Sequence, residues 1–145
     1  MDTDFVLAPY INNTQLMLCV KDSTIVGAGK GLFAYEHIPK GTFIGIWEGK
    51  LQRNDGKTDI GEHSQYISDD FFISSTDFPR CFVAMINDAH NSNNVNNCEL
   101  VLRDSAPNGT KIPIDKRRVE LWSTMDIEPL SELFCSYGPD FWMYS

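Results

Sequence analysis

The chain is short of positive charge: 12 lysines and arginines against 20 aspartates and glutamates in 145 residues, a formal net charge of -8. Gripping nucleic acid requires a basic face that neutralises phosphates, and twelve scattered cations do not supply one, so no direct nucleic-acid contact is expected. A Lys/Arg-rich protein or peptide suits this charge better as a partner. Cysteine is sparse and dispersed. Cys19, Cys81, Cys98 and Cys135 form no CxxC pair, which argues against a zinc knuckle and a dense disulfide framework and predicts reduced thiols in an intracellular protein. His37, His63 and His90 lie far apart, without ligand spacing to acids or cysteines, so no metal site is expected and hydrolytic or metal chemistry is poorly supported. No apolar window approaches a membrane span, and "MDTDFVLAPY" lacks both a basic start and a long apolar stretch, so neither secretion nor membrane attachment is expected. The sequons at Asn12 and Asn108 are then inert, and Lys116-Arg117-Arg118 is too short to read as a nuclear address.

Helical patterning is also missing, since no segment sustains an apolar i, i+3, i+4, i+7 stripe. Residues 16–20, 31–35, 42–52, 70–75, 98–102 and 117–123 are instead short, rich in β-branched and aromatic residues, and punctuated by Gly, Pro, Asn or Asp. This predicts a mostly β fold with few short helices: one or two turns within 80–89, another within 139–144. "EGKLQRNDGKTDIGEHS" and "RDSAPNGTKIPIDKR" carry the strongest turn chemistry, and the first reads as a mobile loop. A 42% hydrophobic share suffices for one well-buried core, and no repeat or linker divides the chain, so a single domain over 1–145 is expected.

Two stretches stand out. "STIVGAGKGLFA" sets Gly27, Gly29 and Gly31 at alternate positions before a strand-like run. Neither the P-loop nor the dinucleotide spacing is present, which leaves a glycine-rich bulge or a loop that cradles a ligand with its backbone. "RCFVAMINDAHNSNNVNNCELV" runs from apolar residues into six asparagines within eleven residues and back again. Such a stretch is either a flexible loop or a place where side-chain amides hold an irregular backbone in a fixed shape.

Read in order, "GKGLFAYEHIPKGTFIGIWEGKL", "FVAMINDAH" and "IEPLSELFCSYGPDFW" resemble the SET domain of protein lysine methyltransferases, over roughly residues 16 to 143. "IPKGTFIG.WEG" and "N.AH" are most similar to the PR-type branch, and "SYGPDFW" to small stand-alone viral SET proteins. The resemblance implies small curved β-sheets with a C-terminal pseudoknot, in which the segment bearing the Asn motif is crossed by the one bearing a catalytic tyrosine. It implies S-adenosylmethionine as cofactor, a basic peptide such as a histone tail as substrate, and a nuclear location in that case.

The resemblance also assigns residues. Tyr137 falls on the catalytic tyrosine. Gly29, Lys30, Gly31 and Leu32 would meet the cofactor mainly through backbone groups, Asn87 and Asp88 beside them, and Trp142 would pack on its adenine. Trp47, Tyr66, Cys135 and Phe141 would line a lysine channel, although Trp47 and Tyr66 suit the core as well. Of the asparagines only Asn87 is expected to be functional, with Asn91, Asn93, Asn94, Asn96 and Asn97 as turn residues. Three positions depart from the family pattern: Asp88 replaces the usual histidine, Ser136 a frequent aspartate, and Cys135 a Phe or Tyr that limits the number of methyls. No cysteine cluster follows "SYG", so no post-SET zinc segment is expected, and Phe141, Trp142 and Tyr144 would close the channel unless a second subunit of a homodimer does. The departures keep a rival reading open: a catalytically weak or inactive PR/SET-type interaction module that binds a basic protein.

Overall fold

The structure, a computed structural model, describes residues 9–56 and 63–137. Eleven short strands make four small sheets among these residues. In chain order they are β1 (Tyr10–Ile11), β2 (Leu18–Asp22), β3 (Lys30–Ala34), β4 (Phe43–Ile46), β5 (Lys50–Arg53), β6 (Ser64–Tyr66), β7 (Phe71–Ser74), β8 (Arg80–Cys81), β9 (Cys98–Arg103), β10 (Arg118–Ser123) and β11 (Glu132–Leu133). The sheets run β11-β3-β2, β4-β10-β9 and β5-β7-β6, all antiparallel, with β1 and β8 paired in parallel. The only helical pieces in the described residues are 3-10 turns at Phe82–Met85 and Ile114–Lys116. The expected mostly β arrangement of small sheets with few short helical turns is thus the observed one.

The expected strand at 42–52 divides into two, β4 and β5, and Gly49 explains the division. A Cβ there would run into the Ser74 carbonyl, so only glycine lets the chain turn so close to the end of β7. Four strands carried no sequence signal. At two or three residues, β1, β6, β8 and β11 are too short for alternation to register. The helical expectation at 80–89 reduces to the single 3-10 turn, whose Val83, Ala84 and Met85 are buried. The second, at 139–144, lies outside the described residues, as does the middle of the first turn-rich stretch. In the other, Ala106 and Gly109 close the expected Asn-Gly turn, with Gly109 at φ +88°.

One apolar cluster joins the sheets. Leu18, Leu32, Ile44, Trp47, Ile67, Val83, Ile86, Leu121, Ile127, Leu133 and Cys135 pack together, and all but Leu18 are at most 2% exposed. Burying each large side chain stabilises the fold by roughly 1.5–3 kcal/mol. The cluster fixes the ends of β3, β11 and the 82–85 turn relative to one another.

Candidate functional site

The glycine loop between β2 and β3 enters the site first. Gly27 and Gly29 adopt φ +84° and +74°, left-handed backbone that side chains resist, and nothing lies within 4 Å of where their Cβ atoms would sit. Gly31 is different. Its φ is unexceptional, but a Cβ there would collide with the Glu132 carboxylate and come within 3.2 Å of Asn87 Nδ2. The alternate glycines therefore serve two purposes, bending the loop at the first two positions and making room at the third. Lys30, between them, is exposed and pairs with Asp22 at 2.7 Å. That bond and its charge raise the lysine pKa and lower the aspartate.

Asn87 follows the 3-10 turn and reaches back to this loop. Its Nδ2 donates to the Lys30 carbonyl at 3.0 Å and to Glu132 Oε2 at 3.3 Å, while its own carbonyl accepts from the Cys135 N–H at 2.9 Å. Bridges pair Asn87 with Phe134 and Cys98 with Cys135, so the C-terminal segment lies against both ends of the asparagine stretch. Tyr137 completes the group: its hydroxyl donates to the Ile86 carbonyl at 2.7 Å and its backbone N–H to Asp88 Oδ2 at 2.9 Å.

Glu132 carries no expectation from the sequence and is the hub of the site. Only 5% exposed, its carboxylate accepts from Ser23 Oγ at 2.7 Å, from the Thr24 N–H at 2.8 Å and Oγ1 at 2.7 Å, and from Asn87. It thereby ties the glycine loop to the Asn motif and to the strand that precedes Tyr137. The signal was present: a glutamate inside "ELFC" sits where an apolar strand leaves no room for an unpartnered charge.

The asparagines after Asn87 are only partly turn residues. Asn91 does turn the chain, at φ +58°. Asn97, by contrast, clamps the crossing segment, donating to the Glu132 carbonyl at 3.1 Å and accepting from the Phe134 N–H at 2.8 Å. Asn96 Oδ1 accepts from the Ala89 N–H at 2.9 Å. The amides hold an irregular backbone in place, so the loop reading gives way to the fixed-shape one for these two positions. Asp88, 7% exposed, spends its carboxylate on Tyr137, on the His90 N–H at 2.9 Å and on Asn96 Nδ2 at 3.5 Å.

The residues expected to line a channel are not gathered on one open wall. Trp47, 1% exposed, is in the core with its indole N–H donating to the His63 carbonyl at 3.2 Å. Cys135 is 0% exposed and also in the core. Tyr66 alone of the three presents its ring to solvent, edge-on to Phe72, its hydroxyl accepting from Asn54 at 3.2 Å. Leu32 has a core side chain, and its backbone lies in the sheet between Val20 and Leu133. Phe141 and Trp142 lie outside the described residues.

A family model described as the SET domain matches residues 29–138. No curated protein matches the chain. Among solved structures the chain is similar to KRYPTONITE in complex with mCHH DNA, H3(1-15) peptide and SAH, at 22% identity and a TM-score of 0.66, over 86% of this chain and 24% of that one. It is also similar to the polycomb repressive complex 2 of Chaetomium thermophilum, at 19% identity and a TM-score of 0.65, over 86% of this chain and 16% of that one. Another structure of that complex, autoinhibited and bound to S-adenosylmethionine, aligns at 19% identity and a TM-score of 0.63 over 85% of this chain and 15% of that one. The chain spans a quarter or less of these neighbours' lengths.

Proposed function

The chain belongs to the SET-domain family, and from that premise we propose that it is an S-adenosylmethionine-dependent protein-lysine N-methyltransferase acting on a basic peptide, a histone tail, within the nucleus. The observation that carries this reading is that Asn87 bonds to the glycine loop while Tyr137 bonds to the residues on either side of Asn87, Ile86 and Asp88. The neighbours' complexes with SAH, S-adenosylmethionine and H3 peptide support it.

The residues present suit such a cofactor. Open space over Gly27 and Gly29 leaves the loop backbone free to approach a ligand, and the buried Glu132 carboxylate suits a cationic one. Gly29, Lys30, Gly31 and Leu32 would hold it with backbone groups, Asn87 and Asp88 from the facing segment, and Trp142 at the adenine. When bound, the cofactor supplies an electrophilic methyl on a sulfonium. The chain's own task is to present a neutral amine in line with that methyl. Lysine is normally protonated, with a pKa of about 10.4, and a desolvating aromatic environment favours the free base. We assign the exposed Tyr66 ring, with Phe141, to that wall, and Trp47 and Cys135 to its backing in the core. Tyr137, fixed through Ile86 and Asp88, orients the reacting groups. The same reading has the C-terminal segment thread in the family's knot, consistent with its bridges to Asn87 and Cys98.

The test is transfer of labelled methyl from the cofactor to core histones. Wild type should label them well above Tyr137→Phe. Labelling by wild type no greater than an enzyme-free blank rejects the enzymatic reading and leaves the interaction module, which calorimetry with the cofactor then examines.

A further inference from the structure

We infer that Glu132 is the specificity-determining residue that favours the cofactor, charged at sulfur, over its product, whose sulfur is neutral. The inference rests on the proposed function and names a property of that same site.

Four donors hold the Glu132 carboxylate: Ser23 Oγ, the Thr24 N–H, Thr24 Oγ1 and Asn87 Nδ2. All four are uncharged. Among the described residues no Lys, Arg or His nitrogen lies within 4.0 Å of it, although the chain pairs its other buried glutamate, Glu120, with both Arg103 and Arg118. Neutral donors satisfy its oxygens without supplying a counter-charge. Among the described residues the carboxylate, 5% exposed, therefore has no counter-cation, and a cation arriving beside it meets an attraction that no other group there already satisfies.

Its position puts the charge at the site. The carboxylate occupies the space above Gly31 and touches Asn87, so it lies between the two segments assigned to the cofactor. S-adenosylmethionine and S-adenosylhomocysteine differ by one methyl and one positive charge at sulfur. A fixed anion attracts the first and is indifferent to that atom in the second. It therefore favours loading of the methyl donor and release of the thioether formed once the methyl and the charge have passed to the amine.

The experiment is calorimetry on the full chain with each compound, using wild type, Glu132→Gln and Thr24→Val. The ratio of the two affinities reports the charge, whereas a common loss reports a loosened loop. Glu132→Gln should reduce the preference for S-adenosylmethionine about tenfold, the order expected of one charge in a partly buried site. Thr24→Val, which keeps the carboxylate and removes one donor, should weaken both ligands by the same factor. An unchanged ratio in Glu132→Gln overturns the inference. Should that variant not fold, Glu132→Asp draws the charge back by one methylene, and its ratio must still fall; an unchanged ratio there also overturns it. Wild type that binds neither compound overturns the proposed function itself, a result distinct from the other two.

Discussion

The Tyr137 hydroxyl donates to the Ile86 carbonyl at 2.7 Å, so the segment bearing Asn87 also fixes the orientation of the tyrosine ring. Tyr137→Phe keeps the ring and removes that bond. Stability should drop by about 1 kcal/mol, the net worth of a typical hydrogen bond. Methyl transfer should drop by roughly a hundredfold or more, the usual contribution of a positioned proton-handling group. Denaturant melts and label transfer on the same preparation separate the two: activity that falls only with the folded fraction makes the hydroxyl a structural group.

Asp88 holds the other end of Tyr137. Its carboxylate receives the Tyr137 N–H, the His90 N–H and an Asn96 amide, so Asp88→Ala takes this acceptor from three part-buried donors. We expect a loss of about 2–4 kcal/mol by urea denaturation, since each buried orphan costs about 1–3 kcal/mol before water fills the gap. Asp88→Asn keeps the shape but turns one oxygen into a donor, and should lose about half as much. A neutral Asp88→Ala result would mean these bonds are already made with solvent.

The two kinds of glycine can be told apart by alanine. Gly29→Ala meets open space but keeps φ near +74°, and should cost about 1–2 kcal/mol in left-handed strain. Gly31→Ala has ordinary backbone but drives a methyl into the Glu132 carboxylate beside Asn87. It should cost about 1–3 kcal/mol and also weaken cofactor binding, because the hub itself must move. Equal melting temperatures with cofactor affinity lost only in Gly29→Ala would reverse these roles.

Much of this was readable beforehand. The long strands β3, β9 and β10 announced themselves through β-branched and aromatic runs, and the positions of Gly29, Asn87 and Tyr137 followed from motifs in order. What escaped was decided by contacts distant in sequence. Glu132 acquires its meaning only from Ser23 and Thr24, more than a hundred residues earlier, and Asn97 only from the segment at 132–134. Trp47 shows the same limit from the other side: an aromatic suited equally to a channel or a core was assigned by its 1% exposure, which its neighbours in sequence do not encode.

Glu120 gives the fold an acid sensitivity. Burial works to raise its pKa, but bonds from Trp122 and Arg103 and the charges of Arg118 and Arg103 outweigh burial and lower it. A carboxyl depressed in the folded state contributes stability that is fully present above its ordinary value of 4.5 and is lost as pH falls through the lowered one. Wild type should therefore lose stability on acidification from about pH 5 to pH 3 more steeply than Glu120→Gln, and be the more stable of the two near neutrality. Parallel acid limbs would mean that the Arg103 and Arg118 pairs contribute nothing net.

Cys135 separates a channel wall from a core filler. The family pattern places it where a bulky aromatic limits methylation, and its small side chain would then leave room for further methyls. In the fold it is 0% exposed and packs in the same cluster as Cys98, Leu133 and Ile86. Burial raises its thiol well above the ordinary value, with Cys98 and Asp88 adding to the effect, and burial pushes Cys98 up to about 12. Both thiols are therefore protonated and shielded at neutral pH, and should react with a disulfide reagent only on unfolding, after the half-buried Cys19. Cys135→Tyr should overpack the cluster and cost about 1–3 kcal/mol. Measuring its melting temperature together with its mono-, di- and trimethyl products decides between the two roles. Reduced stability with an unchanged product ratio is expected of a core residue; preserved stability with a shift to monomethylation would return Cys135 to the channel wall.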